Sequence, residues 1–123
     1  MEPDTATELI DEYCRAWSEP DPAVRARILH GLWPDDASYT DPTVHAACRA
    51  ELLAHLAAVQ SRRPGSKVVR AGPADVHHAC AAFLWHAVGV DGGILRQGID
   101  FVEFMADGSG MRRVVGFFGA YRL

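Results

Sequence analysis

Gly98-Ile99-Asp100-Phe101-Val102-Glu103-Phe104 is a mostly apolar run interrupted by Asp100. Side chains two residues apart share a strand face, so Gly98, Asp100, Val102 and Phe104 point one way and Ile99, Phe101 and Glu103 the other. A strand of this composition belongs inside a sheet, with Asp100 turned toward the interior. It is expected to run from Ile94 to Met105, and Asp107-Gly108-Ser109-Gly110 then reads as a turn into a further strand, Met111 to Tyr121. Upstream, Asp91-Gly92-Gly93 and Gly72-Pro73 mark turns around the strands Cys80 to Val88 and Lys67 to Ala71. The four strands predict an antiparallel meander.

The chain before Lys67 has a different period. Leu9, Ile10, Tyr13 and Trp17 recur at helical spacing after Thr5-Ala6-Thr7-Glu8, which has the form of a capping box, and Pro20 ends the run. Asp21-Pro22 supplies an N-cap and a first-turn proline for a second, shorter helix with Val24, Ile28 and Leu29 on its apolar side and Gly31 as its stop. A short alternating strand is expected over Ala37 to Asp41, then a third helix over Arg49 to Arg63, with Leu52, His55, Leu56 and Val59 along one face. Helices first and strands afterward predict an α+β fold in one domain, residues 1–123, with a curved antiparallel sheet wrapped around the N-terminal helices and a pocket between the layers.

A chain of 123 residues, 49% hydrophobic, accommodates one core. Its 12 basic and 16 acidic side chains give a net charge of −4 with no long run of either sign, which argues against a nucleic-acid surface. Arg62, Arg63, Lys67 and Arg70 form the densest basic stretch and read as a solvated loop around Pro64-Gly65. The acidic start Met1-Glu2-Pro3-Asp4 does not resemble a secretory signal and no apolar run suggests a membrane span, so a cytoplasmic protein is expected. Cys14, Cys48 and Cys80 are read as reduced thiols. His77-His78, Cys80 and His86 are not expected to bind metal, since alternate strand residues face opposite ways. Neither a phosphate-cradling glycine loop opening a helix nor an activated serine is legible, and no cofactor is expected.

In this order of elements the chain resembles the nuclear-transport-factor-2-like superfamily of cone-shaped, cystatin-like α+β folds, which includes SnoaL-like polyketide cyclases and bacterial ketosteroid isomerases. The resemblance rests on Glu12-Tyr13-Cys14, Asp35-Asp36-Ala37-Ser38-Tyr39-Thr40-Asp41-Pro42, Gly98-Ile99-Asp100-Phe101 and Val114-Val115-Gly116-Phe117-Phe118-Gly119, and covers nearly the full length. Ketosteroid isomerases carry a catalytic tyrosine on the first helix, a base aspartate before a proline and a hydrogen-bonding acid on a later strand. The resemblance implies that Tyr13, Asp41 and Asp100 hold those three roles, the acid being kept neutral by an apolar site. Positions that carry supporting tyrosines in those isomerases hold Trp33 and Leu56 here, and the Arg-x-Asp of limonene-epoxide hydrolases is replaced by Gly98-Ile99-Asp100.

The chemistry also follows from the residue types. Moving a proton along a carbon chain beside a carbonyl needs a base and donors for the oxygen that takes up charge. Asp41, at a strand end beside turns, is the better placed base. Asp100 has apolar same-face neighbours, and desolvation raises the pKa of a carboxylic acid, so it is the expected neutral donor, with Tyr13 as the second. Strand alternation puts Phe83, Trp85, Val102, Phe104, Val114, Gly116 and Phe118 on the pocket wall, with Trp17 and Trp33 from the helical side and His55 at a carboxylate or the rim. That lining suits a small, flat, apolar ligand. Double-bond isomerisation of a carbonyl compound is the favoured reading, with a SnoaL-like cyclase or a non-catalytic binding module as alternatives. Ile99, Phe101 and Phe117 on the outer sheet face predict a homodimer.

Overall fold

In a computed structural model, which describes residues 1–123, the first helix opens earlier than the capping box suggests. Helix α1 spans Pro3–Ser18, with Glu2 as an N-cap that makes no side-chain cap and Pro3 in the first turn. Proline has its φ already set for a helix and lacks a donor that would go unpaired there. Thr5 consequently lies inside the helix, and the hydroxyl that finds a partner is that of Thr7, donating to the Pro3 carbonyl at 2.9 Å. Ala6, Ile10, Tyr13, Cys14 and Ala16 are the buried residues of α1.

Helix α2, Pro22–Leu32, begins as expected: Asp21 accepts from the Ala23 amide at 2.9 Å. It runs through Gly31 and stops one residue later. Arg25 is almost completely buried in the joint between α1 and α2, donating to the Glu19 carbonyl from Nε and Nη2 at 3.1 and 2.9 Å. A cation there complements the negative end of α1. Helix α3, Arg49–Arg62, is tied to α1 by Gln60, whose Nε2 donates to the carbonyls of Trp17 and Ser66, each at 2.9 Å.

The sheet has seven strands: β1 Ser38–Asp41, β2 Val44–Ala46, β3 Lys67–Arg70, β4 Asp75–His77, β5 Cys80–Val88, β6 Ile94–Phe104 and β7 Met111–Phe118. Their order is β2-β1-β7-β6-β5-β3, with β4 also paired to β5, and the sheet is not closed. The meander β5-β6-β7 is antiparallel, but β1 joins β7 in parallel, Tyr39 opposite Val114, so the sheet is mixed rather than uniformly antiparallel. Pairing of strands so far apart in sequence leaves no local signal. Strands β2 and β4, three residues each, are too short to show a period in the sequence; β2 folds back on β1 through Pro42-Thr43, and after β4 His78, with a φ of 51°, makes the turn into β5.

One cluster of 21 buried residues joins α1, α2 and α3 to the inner sheet face, including Phe83, Val102, Phe104, Met111 and Val114. On the outer face Phe101 and Phe117 are about half exposed and meet edge to face at 6.1 Å. Ile99, expected beside them in the open, is only 6% exposed; in register it lies between Leu84 and Phe117, and flanking side chains cover it. No helix is long and apolar enough to cross a membrane.

Candidate functional site

Between α1, α3 and the inner face of β3, β5 and β6 lies a cavity of about 260 Å³. Tyr13, Asp41 and Asp100, from three separate elements, all line it. Gly116 of β7 is what lets them approach. A methyl group there would stand 2.7 Å from Asp100 Oδ1 and 3.6 Å from both Asp41 Cβ and Tyr39 Oη, so the two carboxyl residues and a second tyrosine surround one backbone position. Gly98 serves the same end on β6, because a Cβ there would strike the Phe117 carbonyl and the Trp85 ring.

Tyr13 faces inward because it falls on the apolar stripe of α1. Its ring is stacked on Trp33 at 5.8 Å and meets Trp17 edge-on at 6.2 Å, yet its hydroxyl, buried, has no hydrogen-bond partner. Burial, with the charge of Asp100 adding to it, pushes the phenol well above its usual pKa, so it stays a donor through the neutral range. Asp100 is 5% exposed and its Oδ1 is likewise unpartnered. Burial raises its pKa from 3.8 to about 7; Trp85 acts in the opposite sense without completing a hydrogen bond, and the charge of Asp41 raises it further. The indole nitrogens of Trp17 and Trp85 are also buried without partners. Four such atoms on residues around one cavity are unusual, since buried polar groups are nearly always paired.

Asp41 is different in kind. Its Oδ1 accepts from the Thr43 amide and hydroxyl, each at 2.7 Å, and from the Val44 amide at 3.2 Å, which fixes the β1–β2 turn. Its Oδ2 accepts from Tyr39 Oη at 2.6 Å. Sequence reasoning missed Tyr39, although it sits two residues before Asp41 and so on the same strand face. His55 lines the cavity beside Tyr39 and Trp17, with ring centroids at 6.2 and 5.6 Å. Burial lowers its pKa, Asp41 opposes that and Arg62 adds to it, which favours the neutral imidazole.

Of the expected wall, Trp17, His55, Trp85 and Phe118 line the cavity, and Gly116 backs it. Trp33, Phe83, Val102, Phe104 and Val114 do not: they are buried in the helix–sheet core, and Trp33 donates its indole proton to the Ala37 carbonyl at 3.0 Å. Alternation correctly gives their face, but not which end of that face the helices fill. The open end belongs to residues nearer the other terminus of β6, including Arg96 and Leu95, together with Val68 and Ala87 on neighbouring strands. Arg62, Arg63, Ser66 and Lys67 complete the mouth, so most of the basic stretch read as a solvated loop faces the cavity; Arg70 instead pairs with Asp11 at 2.9 Å. A donor pair beside a carboxylate in a chamber open at one end can bind a carbonyl oxygen and exchange a proton with carbon beside it.

No family profile and no curated protein matches the chain. Solved structures do. A proposed isomerase of the SnoaL-like family from Agrobacterium tumefaciens superposes with a TM-score of 0.88 at 26% identity, covering 95% of this chain and 99% of the other. A nuclear-transport-factor-2-like superfamily protein from Salmonella enterica gives 0.71 at 17% identity, over 98% and 92%. A proposed ketosteroid isomerase from Kribbella flavida gives 0.67 at 18% identity, over 98% and 82%. The parallel β1–β7 pair, the helices laid on the inner sheet face and these likenesses agree: the chain has the fold of nuclear-transport-factor-2-like proteins, with SnoaL-like and ketosteroid-isomerase-like proteins among its structural neighbours.

Proposed function

We propose that the chain is a cofactor-independent acid–base enzyme that shifts a double bond into conjugation with the carbonyl of a small, largely apolar compound. The observation that carries this reading is the pair of unpartnered donors, Tyr13 Oη and the carboxyl of Asp100, on a cavity that Asp41 also lines. In the mechanism, Asp41 takes a proton from the carbon between the carbonyl and the alkene. The C–H electron pair enters the dienolate, and the charge that develops on oxygen is met by the Tyr13 hydroxyl and the protonated Asp100. Asp41 then returns the same proton to the far carbon of the alkene and the carbonyl re-forms, so no external reactant is consumed. Donors already in place, in a low-dielectric chamber, stabilise the dienolate without reorganising.

The test is conjugated-enone absorbance after mixing the protein with β,γ-unsaturated cyclic ketones of several ring sizes. Wild-type protein is expected to turn at least one over, Asp41→Asn to lose turnover by about 10³-fold or more while still binding the product enone, and Tyr13→Phe to lose about 10²-fold. No turnover across the series would favour the second reading, a binding module. That alternative has its own support: the Asp41 carboxylate is engaged by Tyr39, Thr43 and Val44, as a purely structural turn residue would be. A SnoaL-like cyclisation needs only one of the two carboxyl groups, so activity that survives Asp41→Asn and disappears in Asp100→Leu would point there.

A further inference from the structure

Arg62, Arg63, Lys67 and Arg96 stand around the mouth of the cavity, and none is paired with a carboxylate. In a chain of net charge −4 this is a local reversal of sign. The rim is also held in place. Ser66 donates its amide to the Arg63 carbonyl at 3.1 Å and accepts from Gln60 Nε2 at 2.9 Å, so the turn bearing Arg63 is fixed to α3. Arg96 follows the face of β6 that carries Gly98 and Asp100, and its guanidinium lies 4.2 Å from the centroid of the Phe118 ring. Stacking on an aromatic face restrains a guanidinium while leaving its donor edge free. The charge of Arg62 reaches inward as far as His55.

We propose that the cavity takes a small organic anion, its apolar body and carbonyl inside and a carboxylate held at the mouth by Arg96 and Arg62. The inner half of this assignment rests on the acid–base reading given above; the outer half rests on the rim alone. Arg96 and Asp100 are four residues apart on one strand, roughly 13 Å along it. After allowance for the reach of an arginine side chain, about one ring and a short tether separates the carboxylate from the carbonyl. The Asp41 carboxylate within the cavity repels a second negative charge, so the ligand enters in one orientation only, head outward. A guanidinium suits a carboxylate better than a neutral ester, because it offers two parallel donors and a full charge.

Isothermal titration calorimetry with 4-acetylphenylacetate and its methyl ester separates these possibilities without requiring turnover. The acid is expected to bind about tenfold more tightly than the ester, or ~1.4 kcal/mol. That preference should fall below about threefold in the Arg62→Gln/Arg96→Gln double variant, and should weaken as NaCl is raised from roughly 20 to 500 mM. Arg112→Gln, which removes a cation paired with Glu103 away from the cavity, should leave it intact. Equal binding of acid and ester, binding of neither, or a preference that survives the double variant overturns the proposal. Because heat of binding is the readout, a chain that proves to lack isomerase activity can still show the preference. An active isomerase on neutral ketones that shows none would refute the anion site alone.

Discussion

A carboxyl group with a pKa of about 7 in the folded chain and near 3.8 when unfolded binds more protons folded than unfolded throughout that interval. For Asp100 the sign is therefore the reverse of a salt-bridged carboxylate. The linked cost of ionising it is absent below about pH 4, grows as pH rises toward 7, and reaches a plateau above it on the order of 4 kcal/mol. Asp100→Asn removes the ionisation while keeping a polar group of the same shape. Chemical denaturation of the two proteins at pH 4 and pH 8 is expected to show near-equal stability at the acid end and a variant more stable by a few kcal/mol at the alkaline end; parallel curves would show that Asp100 does not titrate in this range. Activity should follow the same group with the same sign. Loss of the Asp100 proton above about pH 7 removes a donor from the oxygen site, so kcat/KM for enone formation should fall on that side, and Asp100→Asn should keep partial activity without that alkaline limb, whereas Asp100→Leu should not.

Strands β6 and β7 carry the site through the two places where they have no side chain. Gly116→Ala would set a methyl group 2.7 Å from Asp100 Oδ1, closer than two such atoms can stand, and one of the strands or the carboxyl must shift. A loss of about 1–3 kcal/mol is expected, with turnover reduced more than the melting temperature suggests, because the displaced atom is the donor itself. Differential scanning calorimetry and enone kinetics on the same sample would check both halves. The elements also show what the sequence made legible. Helical spacing around Tyr13, the Asp21-Pro22 cap and the alternation through Asp100 are local patterns, and each led to an element close to its observed bounds. The pairing of β1 with β7, the short β2 and β4, and the partnership of Tyr39 with Asp41 come from contacts between distant segments or from three-residue pieces too short to carry a period. The same limit explains the wall. Alternation assigned Val102, Phe104 and Val114 to the inner face, but how far the helices reach along that face is decided by packing, which fills one end with core and leaves the other lined by Leu95 and Arg96.

For the molecule as a whole the outer sheet face is the largest matter left to account for. Phe101 and Phe117 present an edge-to-face pair that is about half exposed, and we propose that a second copy of the chain covers it. Size-exclusion chromatography with light scattering at micromolar concentration should give twice the 13.4 kDa chain mass, and Phe101→Glu should return it to the monomer. A wild-type monomer would remove the idea. The parallel pair β1–β7 bears on a different aspect of the molecule's life. Asp41 lies at the end of a strand whose ladder partner is the last strand synthesised, and Gly116 on that partner makes room for Asp100. On the ribosome, then, the helices and the first hairpins can form while the chamber is still unfinished, and a nascent chain that stops short of β7 lacks the wall to which Gly116 and Phe118 belong.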